Sequence, residues 1–105
     1  MSQNRALSML GLAQKAGKVV SGEFSVEKAI KSGHAYLVIL ADDVSANTRK
    51  HFTDMCAYHK VPIAFSGTKD ELGNTIGRGF RASVAVTDPG FAASIAKKLE
   101  MSCEN

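Results

Sequence analysis

Cysteine is scarce in this sequence: Cys56 and Cys103 are the only two among 105 residues. Two thiols so placed build no disulfide framework. Cys56 lies in an apolar run of helical spacing and Cys103 in a terminal tail, so both are expected as free thiols of a reducing cytosol. No apolar stretch approaches the ~20 residues that a membrane span needs. The N-terminus offers only Arg5 ahead of a broken apolar run, which does not make a secretory signal. There is no linker, repeat or low-complexity tract. The expectation is one soluble, cytoplasmic domain over residues 1–105, large enough for one core and too short for two, with a frayed tail from about residue 100.

Neither sign of charge dominates. Thirteen Lys and Arg stand against ten Asp and Glu, a net +3 that suits an RNA or phosphate partner without requiring one. The excess lies towards the N-terminal half. Residues 1–31 carry Arg5, Lys15, Lys18, Lys28 and Lys31 against Glu23 and Glu27, whereas residues 82–105 carry two lysines against three acids.

What is present in abundance is alternation of helix and strand signals. Asn4 can cap a first helix through Leu7, Leu10 and Ala13, and Gly17 suits its stop. Lys18-Val19-Val20 is a short strand candidate. A helix from Ser21 or Gly22 to Gly33 buries Val26, Ala29 and Ile30 at i, i+3, i+4. Tyr36 to Ala41 is a continuous apolar run of strand length, as in a strand buried on both faces. Ser45 can cap a helix with the stripe Phe52, Met55, Cys56 and His59, and Pro62 to Phe65 reads as a strand. Thr68 to Glu71 matches a capping box, and Ser83 to Val86 is a last strand. Asp88-Pro89 opens a final helix to about Leu99. This order predicts one three-layer α/β/α domain on a central sheet.

Most catalytic readings fail. Between Gly11 and Gly17-Lys18 stand five residues where a phosphate-binding loop needs four, and Val19 replaces the Mg²⁺-binding hydroxyl. Gly77-Arg78-Gly79 lacks a third glycine and precedes a strand, unlike a dinucleotide site. Cys56 and His59 are two ligands where a structural zinc site wants four. Asp42-Asp43 after the central strand is the best acid pair, yet no nucleophile or metal cluster accompanies it. Neither an enzyme nor a metal or cofactor site is expected.

Two segments remain. At roughly 100° per residue, Phe24, Lys28 and Lys31 share the helix side away from the buried stripe. A glycine-led helix start offers free amides to an anion, lysines add charge, and an aromatic ring can stack on a base. The alternative is a Phe24 folded onto the adjacent strand, with solvated lysines. The second segment is Gly77-Arg78-Gly79-Phe80-Arg81, two arginines flanking an aromatic on a flexible loop. Its alternative is a solvated turn with Phe80 in the core. If the two converge in space, RNA is favoured.

The stretches LGLAQKAGKVVSG, KAIKSGHAYLVILADDVS, CAYHKVPIAF and KDELGNTIGR, in this order and spacing, resemble the L-seven-Ae ribosomal protein family of kink-turn RNA binders, bacterial YlxQ-like branch. The resemblance covers about Leu10 to Leu99. It implies a four-stranded mixed sheet, RNA binding without catalysis, and contacts from Gly22 to Lys28 and from Arg78 to Ala82. The RNA-binding set expected from both lines is Lys18, Gly22, Glu23, Phe24, Ser25, Lys28, Lys31, Arg78, Gly79, Phe80, Arg81 and Ala82. Such binders typically begin the helix Gly-x-Asn-Glu-x-x-Lys. Here Gly22 and Lys28 match, while Phe24 and Ser25 replace the Asn and Glu that read base edges. The expected protein is a ribosome-associated monomer bound to structured RNA, kink-turn-like or ribosomal, with ribosomal proteins as further candidate partners. The alternative is a protein-interaction module on the same fold.

Overall fold

The computed structural model describes residues 2–103, with side chains from Arg5 to Leu99. Its elements are α1 (Ser2–Lys15), β1 (Val19–Ser21), α2 (Glu23–Lys31), β2 (Leu37–Leu40), α3 (Ala46–His59), β3 (Ile63–Phe65), α4 (Lys69–Thr75), β4 (Ser83–Val86) and α5 (Pro89–Cys103). The expected alternation is therefore observed. The strand boundaries shift by at most one residue, and those of α1 and α5 shift further. Helix α1 starts at Ser2, which puts Asn4 inside its first turn and not at the cap. Helix α5 continues past Leu99 to Cys103, so the chain is helical where a tail was expected. The Cys103 thiol lies outside the described side chains.

The local reasons for each helix are visible at its ends. The Ser45 hydroxyl accepts the Thr48 N–H at 3.1 Å, capping α3. Thr68 and Glu71 form the reciprocal capping box of α4, and the Asp88 carboxylate accepts the Phe91 N–H at 2.9 Å to start α5. Gly17 ends α1 at φ 74, in the left-handed region where a Cβ is unfavourable. The Lys18 N–H then reaches back to the Ala13 carbonyl at 2.9 Å.

The sheet order is β1-β4-β2-β3. Strand β4 is antiparallel to both β1 and β2, while β2 and β3 are parallel. Period-two alternation in the two central strands then supplies two cores. Leu37, Ile39, Val84 and Val86 meet Leu10, Leu72 and Ile95 from α1, α4 and α5, and Ile76 just after α4. Val38, Leu40 and Ala85 meet Val26, Ile30, Phe52 and Cys56 from α2 and α3. The continuous apolar run of β2 is thus consumed by helices on both sides. Phe52, fully buried, contributes about 2–3 kcal/mol to holding α3 on its face.

Burial pushes the Cys56 thiol up to about 11. The thiol is therefore held in its neutral form, as a small apolar side chain of the α2–α3 core.

Candidate nucleic-acid interface

One end of the sheet gathers both segments. Strand β1 delivers the chain to Gly22, whose N–H donates to the Ser83 carbonyl at 3.0 Å, where β4 begins. The Ala82 carbonyl accepts the Ala41 N–H at 2.9 Å, where β2 ends. Ser21, Gly22, Ala41 and Ala82 therefore stand at a common edge, and α2 and the 77–82 loop leave from it.

A direct clip joins the two. Arg81 Nε donates to Ser21 Oγ at 3.1 Å, and Arg81 Nη1 donates to the Phe80 carbonyl at 2.8 Å. The Arg81 N–H donates to the Lys69 carbonyl at 3.1 Å. The Lys69 N–H in turn donates to Asp43 Oδ1 at 2.9 Å. Asp43 thus serves the start of α4 and ties the β2–α3 loop into the same framework. Sixty residues separate Ser21 from Arg81 in the chain.

The exposed side chains fall on this framework. Phe24 is 80% exposed and Phe80 67%, which excludes both alternatives in which these rings tuck into the core. Phe24, Glu27, Lys28, Lys31 and Ser32 line one shallow groove along the outer side of α2. Lys31 approaches Glu27 at 3.9 Å, an exposed pair worth well under about 1 kcal/mol. The described residues give Lys28 and the side chain of Arg78 no ion-pair partner. Gly22 takes φ 92, ψ 151 with no side chain capping α2. The first helical pairing is Val26 N–H to the Gly22 carbonyl, so the amides of Glu23, Phe24 and Ser25 are left for an outside acceptor. The α2 start thus offers unpaired amides, and the exposed rings of Phe24 and Phe80 and the unpaired cations of Lys28 and Arg78 stand on the two segments that meet there.

Of the twelve expected site residues, eleven lie on α2's first turns, its outer side or the 77–82 loop. Lys18 does not. Its carbonyl accepts the Thr87 N–H at the far end of β1 and β4, three residues and roughly 10 Å from Ser21. Arg81 is present but its guanidinium is engaged internally. The sequence reading missed Ser21, Lys69 and Gly73. Gly73 is buried in α4 beneath the loop, and a Cβ there would overlap the Gly79 carbonyl oxygen.

Residues 4–96 match the model of the ribosomal protein L7Ae/L30e/S12e/Gadd45 family. The chain belongs to this family. Within it, the chain is 46% identical over 100 residues to the RNA-binding protein YlxQ of Bacillus subtilis strain 168, covering 95% of this chain and 100% of that protein. It is 35% identical over 89 residues to large ribosomal subunit protein eL8 of Picrophilus torridus, across 84% and 70% of the two chains. Its fold superposes with a TM-score of 0.87 on the structure of a protein with unknown function from Bacillus halodurans C, at 36% identity and covering 90% and 96% of the two chains.

Proposed function

We propose that this protein binds a folded, sharply bent RNA, without catalysis, and works as a cytoplasmic, ribosome-associated monomer. The observation that carries the reading is the Arg81–Ser21 clip, which holds the α2 start and the Phe80 loop as one surface. The amides of residues 23–25 and Lys28 take phosphates, and Phe24 and Phe80 stack on bases exposed by the bend. Stacking stands where Asn and Glu would read base edges, so shape weighs more than hydrogen-bonded sequence. Two named relatives, an RNA-binding protein and a ribosomal protein, support the RNA class. Among the described residues no helix is long and apolar enough to cross a membrane.

Alanine at Phe24 and at Lys28 separates the two roles. Phe24→Ala is expected to weaken RNA binding by about 1–3 kcal/mol, the worth of one stacked base. Lys28→Ala is expected to weaken all RNAs alike and to flatten the log–log salt slope by about one phosphate contact. Filter binding or fluorescence anisotropy across a salt series measures both. Unchanged affinity in both variants overturns the surface. Binding insensitive to salt would favour a protein partner.

A further inference from the structure

We propose that Glu23, Glu27 and His51 form a surface site for a divalent ion of the zinc class. Glu23 and Glu27 are one turn apart on α2, and His51 comes from α3 beside them. His51 Nε2 stands 2.9 Å from Glu27 Oε2. One ligand atom from each of the three residues lies within 4.8 Å of the other two. Ligand atoms about 2.1 Å from a zinc ion stand roughly 3.4 Å apart in tetrahedral geometry. Small rotations of the glutamates close that difference, since Glu23 is exposed and Glu27 only half-buried.

The donor set suits such an ion. Imidazole favours zinc, nickel or copper over magnesium and calcium, and two carboxylates supply the negative charge that offsets a dication. Without a cation the glutamates are like charges at i, i+4, an unfavourable spacing. Among the described residues Glu23 makes no hydrogen bond or ion pair, and Glu27 has only His51 and the distant ammonium of Lys31. Three protein ligands leave a coordination position for water or an anion oxygen. Glu23 opens α2, so the ion sits beside the helix end proposed to face phosphate and neutralises the two carboxylates that oppose it there. No sequence motif announces the site, because its ligands come from two helices.

The site is tested with zinc alone, so the outcome does not depend on the RNA reading. The full chain carrying Cys103→Ser, which removes a competing thiol, is titrated with Zn²⁺ by calorimetry. One saturable ion per chain is expected, with His51→Ala and Glu27→Gln each weakening it tenfold or more and His59→Ala leaving it unchanged. The His51 ring resonances in NMR spectra of the parent chain should shift to saturation over the same range. Absence of saturable binding, or binding that persists undiminished in His51→Ala, overturns the proposal.

Discussion

Gly73→Ala is expected to destabilise the protein by about 2 kcal/mol, a fall in Tm of roughly 10 °C for a domain of this size. The ordinary expectation has the opposite sign, since alanine in a helix is favoured over glycine by about 1 kcal/mol. The reversal comes from the loop above α4. A Cβ at Gly73 would overlap the Gly79 carbonyl oxygen, stand 2.5 Å from its carbon and 3.2 Å from the Phe80 nitrogen. These are backbone atoms with no rotamer to yield. The Arg78 N–H also donates to the Gly73 carbonyl at 2.8 Å, pinning the loop to that turn. The loop must therefore lift, carrying Phe80 and Arg81 with it, and RNA affinity falls together with stability. Gly79→Ala is the control. Nothing lies within 4 Å of a Cβ there and its φ is ordinary, so stability should change by less than about 0.5 kcal/mol. Urea unfolding of the two variants checks the pair, and a Gly73→Ala protein as stable as the parent refutes the packing.

Gly22→Ala is expected to cost about 2 kcal/mol for a different reason. No atom lies within 4 Å of a Cβ at this position, so the effect is not steric crowding by neighbours. The backbone itself sits at φ 92, ψ 151, a region that non-glycine residues enter at a cost of about 1–3 kcal/mol. The chain can relieve that strain only by turning the first residues of α2. That turn moves the free amides of residues 23–25 and the Ser21 hydroxyl that Arg81 holds. Gly22→Ala should thus weaken RNA binding more than Lys28→Ala, which removes one charge and leaves the helix start in place. The unfolding midpoint should fall with an unchanged m-value. A Gly22→Ala protein with parental midpoint and affinity contradicts the role given to this turn.

The elements of the fold were legible because each is dictated by near neighbours. The run from Tyr36 to Ala41 reads as a doubly covered strand, and Leu37 to Leu40 are buried. The Thr68–Glu71 box and the Ser45 cap need only a spacing of three. The outer side of α2 was legible for the same reason, since helical rotation alone separates Phe24, Lys28 and Lys31 from Val26, Ala29 and Ile30. What joins the segments was not. The Arg81–Ser21 bond spans sixty residues, and no local pattern distinguishes an arginine that clips from one that contacts a ligand. Lys18 belongs to the expected set, but strand direction carries it to the other end of β1, opposite Thr87. Gly73 has a favourable φ and sits within a helix, so its demand for a missing side chain appears only when the loop is laid over it. The strand order, with β4 inserted between β1 and β2, likewise depends on long-range pairing.

The central claim is that the clipped pair of segments recognises a sharply bent RNA. The most direct measurement is a titration with a kink-turn RNA, beside the same RNA with its sheared G·A pairs replaced by Watson–Crick pairs that straighten it. The account predicts at least tenfold tighter binding to the bent form, with the preference lost in Phe24→Ala. Equal affinity for the two RNAs, or no binding to either at low salt, would contradict it.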